Sequence, residues 1–343
     1  MKKKAMFFIL LTFFILPLTT VGYAADSSKP IELRFSVHMP PFAPPVKIYQ
    51  AWCNEVNAET NGKVKVTMYP GGTLMQAADA IAGTKAGIAH IALIVSDMVA
   101  SERPLTPILQ LPFLGLGDWE EGAKMMEQLR QEFPELGAEY SDFKILFREI
   151  RTGMGIHTKT LVKVPSDLKG QKVIASGMTA TIVNSVGGAA INLGLPDWYT
   201  ALDRGLADGM FMDIGAVYEV KLYTLLPYHA DFARGMNLQL GIIVMNLQTW
   251  NSLSPDIQKT MDEVSKAMEQ NIARKTVEVN KQYIANMKKE GGHTFTILTD
   301  AEAQMWLDAA KAEHERYLAK AEAQGLPARA IYERALELSQ HTR

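Results

Sequence analysis

Short runs of alternating or continuous apolar residues predict strands along most of the chain, and longer runs with helical spacing separate them. In "KVKVTMYP", for example, Val64, Val66 and Met68 fall on one face of a strand. The predicted strands lie at residues 31–37, 63–70, 87–95, 143–149, 173–175, 208–212, 238–246 and 294–298. The predicted helices lie at residues 47–60, 75–86, 118–131, 180–186, 197–204, 216–223, 255–290, 301–323 and 328–338. Strands that alternate with helices in this way are typical of an α/β fold.

The longest helical pattern begins after Ser254, a good N-cap, with Pro255 in the first helical position, and it ends at Gly291. Its roughly 36 residues would span about 54 Å at 1.5 Å per residue. That length exceeds one domain of this size, so we predict a helix that crosses two lobes. By the same reasoning, Asp197 and Thr299 are predicted to be the N-caps of the helices that begin there.

Length and composition indicate a soluble protein of two domains, or one large two-lobed protein. The chain has 343 residues, of which 48% are hydrophobic and 21% charged. The formal net charge is −2, and no cluster of Lys and Arg falls on one predicted face. These features argue against a nucleic-acid partner.

The N-terminus has the pattern of a secretory signal peptide. Lysines at residues 2–4 precede an apolar run over 5–18, and Gly22-Tyr23-Ala24 offers small residues at −3 and −1 of a cleavage site. Cleavage after Ala24 would remove three lysines and no acid, which takes the formal net charge from −2 to −5. We therefore predict a periplasmic protein. An uncleaved N-terminal membrane anchor is the alternative.

Motifs for catalysis, cofactors and metals are absent from the sequence. It has no GxSxG, no phosphate-binding loop and no pair of histidines at metal-ligand spacing. The single cysteine, Cys53, cannot form an internal disulfide, and its helical context predicts a small buried residue. No enzyme activity, metal or cofactor is therefore predicted. An exported, two-lobed α/β protein of this kind is best interpreted as a solute-binding protein that closes on a ligand in its interlobe cleft.

Five stretches, taken in order, resemble the solute receptors of tripartite ATP-independent periplasmic (TRAP) transporters. They are "ETNGKVKVTMYPGGTL" (59–74), "LPFL" (111–114), "VKVPSDLKGQKV" (162–173), "YTALDRGLADG" (199–209) and "MNLQTWNSLSPDIQ" (245–258). The resemblance implies a two-lobed periplasmic binding protein fold with crossing strands and a long bracing helix. It also implies delivery of a small organic ligand to a permease made of a small and a large membrane subunit.

On this basis the chain divides into four parts. We predict a signal peptide at 1–24, mainly the first lobe at 25–150 and mainly the second lobe at 151–245. Residues 246–343 would form the spanning helix and the C-terminal helices, which pack on both lobes.

At the expected ligand position, the sequence departs from the family it resembles. Members usually clamp an organic acid with an arginine in the stretch that here reads "GQKVIAS", and this chain has Ile174 there; a second arginine position, used by some sugar-acid binders, holds Met154. Isoleucine cannot replace the two-pronged bond of a guanidinium to a carboxylate. The sequence therefore favours a small amine, or a neutral polar or aromatic ligand, with Asp213 as an acidic partner. The alternative is an organic acid with a relocated clamp, Arg148 or Arg151.

Candidate ligand-binding residues lie at predicted strand ends and in the loops that follow them. They are His38, Met39, Ser96, Asp97, Arg151, Met154, Ile174, Ser176, Trp198, Met212, Asp213 and Asn237. For the aromatic and methionine members, plain core packing is the alternative. Three functions are open for the whole protein: the binding subunit of a transporter, which the resemblance favours, a receptor that presents ligand to a sensor kinase, and a secreted enzyme.

Overall fold

The computed structural model of the protein describes residues 29–114, 119–152, 154–232 and 236–341. The predicted signal peptide and its cleavage site lie outside the described residues. Within these ranges, every helix is too short or too polar to span a lipid bilayer.

The described chain alternates between strands and helices, as the sequence predicts. The strands are β1 (Ile31–Ser36), β2 (Val64–Tyr69), β3 (Ile91–Val95), β4 (Phe143–Thr152), β5 (Gly155–Thr158), β6 (Lys172–Ile174), β7 (Ala189–Ile191), β8 (Gly209–Met212), β9 (Tyr228–Phe232), β10 (Leu238–Asn246) and β11 (Thr294–Leu298). The helices are α1 (Pro44–Glu59), α2 (Ala80–Lys85), α3 (Trp119–Glu132), α4 (Pro134–Ala138), α5 (Gly177–Ser185), α6 (Leu195–Asp203), α7 (Ile214–Glu219), α8 (Leu247–Ser252), α9 (Pro255–Glu290), α10 (Asp300–Glu322) and α11 (Ala328–His341).

The strands form two sheets, one in each lobe. The first sheet has the order β2-β1-β3-β10-β4, and the second has the order β11-β9-β5-β8-β6-β7. In the first, β1 runs parallel to β2 and β3, and β10 runs antiparallel to β3 and β4. In the second, β6 runs parallel to β7 and β8. Two mixed sheets flanked by helices confirm the predicted two-lobed α/β fold.

Two chain segments cross between the lobes. One leads from β4 in the first sheet to β5 in the second, and the other leads from β9 back to β10. Asn237 connects them, because its side-chain oxygen accepts a hydrogen bond from the backbone N–H of Met154 at 3.2 Å. Asn237 is only 7% exposed, so this bond lies in the interior beside the crossing.

The 36-residue helix α9 contacts both lobes, which confirms the predicted bracing helix. Its first half packs on α1 and β4, where the indole N–H of Trp52 donates to the hydroxyl of Ser265 at 3.2 Å. Its second half packs on α7, where the rings of Tyr218 and Tyr283 stack with centroids 4.3 Å apart. Movement of one lobe against the other is therefore constrained at both halves of α9.

Helices α10 and α11 complete the two cores. Trp306 of α10 is fully buried in the second lobe among Phe113, Phe211 and Phe232, and its indole N–H donates to the carbonyl of Lys163 at 2.9 Å. Helix α11 packs against α3 in the first lobe. Thr299 is the N-cap of α10 and forms a capping box with the third helical residue, as the sequence predicts.

The structure corrects three of the predicted helices. Gly194, not Asp197, is the N-cap of α6, because Pro196 fits the first turn and the helix begins two residues before Asp197. The helix predicted at 75–86 is shorter: a 3₁₀ turn precedes α2. The helix predicted at 216–223 ends at Glu219, because Lys221 adopts a left-handed backbone with φ of 58°.

Candidate functional site

A pocket of about 90 Å³ opens in the second lobe, at the carboxyl ends of β6 and β8. Ligands of α/β proteins bind at such strand ends, outside the sheet. Its lining consists of Met154, Ile174, Ala175, Ser176, Thr179, Asn192, Leu193, Trp198, Phe211 and Met212. No charged side chain belongs to this set of described residues.

The floor and walls of the pocket are apolar. Ile174 is 4% exposed and belongs to the same hydrophobic cluster as Trp198 and Met212. The indole N–H of Trp198 donates to the carbonyl of Leu193 at 2.9 Å, so that donor is already engaged within the protein. Phe211, on the adjoining wall, packs edge-on against Trp306. Ile174 therefore extends an apolar surface across the position where the related receptors are expected to have an arginine.

Three polar side chains complete the lining, and two of them lie where β6 passes into α5. Ser176 is the N-cap residue of α5 and is exposed, and its side chain makes no capping hydrogen bond. Thr179 follows in the first turn of the helix and is 5% exposed. Asn192, after β7, is the third polar side chain of the lining. These groups can donate hydrogen bonds to a solute without carrying charge.

Five of the predicted ligand residues line this pocket: Met154, Ile174, Ser176, Trp198 and Met212. Two more predicted residues are neighbours of the lining: one is adjacent in the chain, and the other is hydrogen-bonded to a lining residue. Asp213 directly follows Met212, but its carboxylate accepts the N–H of Ala216 at 2.9 Å and caps α7. Asn237 contacts the pocket residue Met154 through the bond described above.

The predicted first-lobe residues are not part of this pocket. His38 and Met39 follow β1, and Ser96 and Asp97 follow β3, so all four lie at the carboxyl edge of the first sheet. Ser96 is fully buried and its hydroxyl donates to the side-chain oxygen of Gln110, which is a structural contact. Asp97 has an exposed side chain, although the surrounding protein raises the pKa of its carboxyl by desolvation. Their contact with a ligand stays a prediction.

Arg148 lies away from the pocket. It lines a cavity of only about 10 Å³ in the first lobe, together with Arg130. Its guanidinium lies 3.8 Å from the carboxylate of Glu269 on α9. Burial lowers the pKa of Arg148, and the neighbouring positive charge of Arg130 lowers it further. The side chain of Arg151, the other candidate clamp, lies outside the described residues.

Sequence reasoning missed several residues of the lining. Thr179 was missed because the helix after β6 was predicted to start at residue 180, whereas α5 begins at Gly177. Asn192 and Leu193 follow β7, a strand of three residues that gives no usable periodicity. The signal that could have located Thr179 is Ser176-Gly177, since serine at an N-cap predicts a helix directly after it.

A chain of three histidines lies behind one wall of the pocket. Nε2 of His157 lies 3.0 Å from the carbonyl oxygen of Met212, Nδ1 of His157 lies 2.9 Å from Nδ1 of His229, and Nε2 of His229 lies 3.3 Å from Nδ1 of His293. A carbonyl can only accept, so His157 donates through Nε2 and accepts through Nδ1. The direction of each following bond is thereby fixed: His293 donates to His229, and His229 to His157.

The two buried members of this histidine chain, His157 and His229, are neutral at ordinary pH. Burial lowers the pKa of His157 to about 4 and that of His229 to about 3. Both side chains are less than 5% exposed. His157 therefore holds the Met212 carbonyl in place without adding charge to the pocket. Across the described residues as a whole, no three His, Cys, Asp or Glu side chains are arranged to hold a metal ion.

Two α/β lobes joined by crossing segments, with a pocket at strand ends beside the crossing, define the class of two-lobed solute-binding proteins. The chain belongs to one family of this class, the bacterial extracellular solute-binding protein family 7 (DctP), whose model matches residues 35–321. This finding confirms the resemblance to TRAP solute receptors. Members of the family are extracytoplasmic receptors rather than enzymes, and they bind small organic ligands and work with membrane permease subunits.

Named relatives and solved structures agree with this assignment. The chain is 26% identical over 264 residues to the 2,3-diketo-L-gulonate-binding periplasmic protein YiaO of Escherichia coli K12, covering 73% of this chain and 75% of the relative. It is 22% identical over 274 residues to the C4-dicarboxylate-binding protein DctB of Bacillus subtilis, covering 76% and 75%. Its fold matches a TRAP periplasmic solute-binding protein from Desulfovibrio salexigens with a TM-score of 0.80 and 26% identity, covering 90% of this chain and 95% of that one.

Proposed function

We propose that this protein is the periplasmic receptor of a TRAP transporter and that it captures a small organic acid with an aromatic or branched apolar body. It would deliver this solute to the small and large membrane subunits of the permease. The observation that carries the proposal is the lining of the pocket, which combines apolar walls with three uncharged polar side chains.

The apolar walls suit a flat or branched hydrophobic body. Ile174, Trp198, Phe211 and Met212 surround the space, and aromatic faces stack well on a planar ring. Removal of apolar surface from water is favourable by about 25 cal/mol per Å², and part of this gain offsets the entropic cost of association. A solute made only of hydroxyl and carboxyl groups would leave these walls without matching contacts.

The polar side chains of the lining can donate to the oxygens of an acid, and no anionic side chain among the described lining residues is available to an amine. An amine needs an anionic or carbonyl partner, and Asp213, the candidate in the sequence, is engaged as the N-cap of α7. Solved structures of similar fold, 19–22% identical to this chain, were determined with benzoate, mandelate, pyroglutamate and 3-hydroxybenzoate. Their ligands are all small acids, and three of the four contain an aromatic ring.

A matched panel tests the proposal. Benzoate, mandelate and pyroglutamate would be compared with benzamide and benzylamine in thermal-shift and calorimetric titrations of the mature protein. An acid at about 100 times its Kd should stabilise the folded form by about 2.7 kcal/mol. Mass spectrometry of small molecules released from the purified protein would identify any solute already bound. If only the amine binds, the proposal of an acid ligand is wrong, and the amine ligand favoured by the sequence becomes the better interpretation.

A further inference from the structure

We infer that the carboxylate of the solute is held by the first turn of α5, which takes the place of an arginine clamp. The groups concerned are the backbone N–H groups of residues 177–179 and the hydroxyls of Ser176 and Thr179. This inference rests on the proposed function, because it assigns the anchor for the acid that the protein is proposed to bind.

The backbone at the start of α5 has the form of an anion-binding turn. Gly177 has a φ of 55°, in the left-handed region, and right-handed helical residues follow it. Such a change of hand curls consecutive N–H groups into a concave nest that receives an anion. The first N–H groups of a helix have no acceptor within the helix, and they carry its partial positive charge.

Thr179 independently supports a role of this turn in ligand binding. Its side chain lines the pocket and is 5% exposed, and its hydroxyl makes no hydrogen bond to any described residue. The hydroxyl is not sealed from solvent, so water can bind it in the empty pocket and an acceptor on the solute can replace that water. The Ser176 hydroxyl, which makes no capping bond, is available to the same acceptor.

The described lining of the pocket offers the carboxylate of the solute neutral groups rather than a charged partner. No charged side chain lines the described pocket, and Ile174 occupies the position of the expected clamp. The Trp198 indole N–H is already engaged by Leu193. Ser176 and Thr179 line the pocket on either side of the first N–H groups of α5, and N–H groups at a helix start are a known way to bind carboxylate or phosphate groups.

The test uses Gly177→Ala and Thr179→Val, with Gly205→Ala as the matched control. Gly177 and Gly205 both have positive φ, 55° and 69°, and an added Cβ at either would meet no atom within 4 Å. Both alanine variants should therefore lose similar stability through backbone strain, but only Gly177 belongs to the proposed anchor. Thr179→Val removes the hydroxyl and keeps the shape of the side chain.

Calorimetry with benzoate and mandelate should show Gly177→Ala and Thr179→Val binding about tenfold or more weakly than the wild type, the scale of a lost charge-assisted hydrogen bond. The affinity for the neutral analogue benzamide should fall less, so the preference of the protein for acid over amide should become smaller. Gly205→Ala should keep both the affinity and the preference. Arg151→Met should leave benzoate binding unchanged.

The outcomes separate the two proposals. If the wild type binds the acids, and Gly177→Ala and Thr179→Val bind them within twofold of it, the inference is wrong and the proposed function stands. Loss of acid binding in Arg151→Met would show a relocated arginine clamp and would likewise overturn only the inference. If benzoate, mandelate and pyroglutamate all fail to bind the wild type, the proposed acid itself is wrong.

Discussion

Acid should destabilise the protein through the buried histidine chain. The pKa of His157 lies at about 4 and that of His229 at about 3, because burial disfavours the charged imidazolium. Unfolding returns both groups to the ordinary histidine pKa of about 6.5. Between pH 6.5 and 4 the unfolded chain therefore binds protons that the folded chain does not. The free energy of unfolding must fall as the pH falls through this window.

The magnitude follows from the shift of His157 alone. A pKa lowered from about 6.5 to about 4 corresponds to on the order of 3 kcal/mol, which is present above pH 6.5 and lost by about pH 4. His157 is 3% exposed, so solvent screens it little. Asp231 acts in the opposite direction, because burial raises its pKa to about 6 and its folded form gains a proton first. A comparison of the wild type with a His157 variant separates the contribution of this histidine from those of such opposing groups.

The assay is urea unfolding of the wild type and His157→Gln, followed by tryptophan fluorescence at about pH 7.5, 6 and 4.5. From pH 7.5 to pH 4.5 the free energy of unfolding of the wild type should fall by roughly 2 to 3 kcal/mol more than that of the variant, because glutamine binds no proton. His314→Gln is a second, independent comparison: burial also lowers the pKa of His314 to about 4, and it bonds Tyr332 and shares no partner with His157, so this variant should show a similar reduction in pH dependence. An equal pH dependence in the wild type and His157→Gln would refute the reasoning.

Packing, capping, closure and export each give one further expectation. Trp306→Ala should lower the free energy of unfolding by about 3–5 kcal/mol in urea, since the side chain is fully buried; a loss below about 1 kcal/mol would contradict the described core. Thr299→Ala should cost about 1 kcal/mol in the same assay through loss of the capping box of α10. Solution scattering should give a smaller radius of gyration with saturating benzoate than without it, and an unchanged profile would indicate a rigid site. N-terminal sequencing of periplasmic protein should begin at Ala25, and an intact Met1 would disprove cleavage.

Most strands could be predicted from their apolar patterns, but β5, β7 and β9 were missed. The alternation in β2 reflects one face turned to the core, with Val64 and Val66 buried and the lysine between them exposed. All four residues of β5 are buried, so no alternation marks it, and β7 has only three residues. In β9 the buried His229 interrupts the apolar pattern, because its ring is satisfied by two other histidines that are distant in sequence.

The pocket was found in part because strand ends can be located from the sequence. Ile174, Ser176 and Met212 lie at the ends of β6 and β8 and were predicted on that ground. The role of Asp213 was ambiguous, since a carboxylate after a strand suits both a ligand and the N-cap of the next helix. Only the geometry shows the capping bond to Ala216. The conformation of Gly177 has no sequence signal beyond glycine itself, so the concave turn at α5 could not be predicted.

An isoleucine in place of the expected arginine would also change how the empty site is kept stable. A guanidinium at position 174 would be buried in an apolar cluster, without a partner whenever the solute is absent, and an unpaired buried charge is costly. Ile174 carries no such cost, and the donors at the start of α5 can bind water instead, because Ser176 is exposed. A neutral anchor is weaker than a two-pronged ionic one. In the proposed site, contacts with Ile174, Trp198 and Phe211 must therefore supply the larger share of the binding free energy, and selection among acids falls mainly to the shape of their apolar bodies.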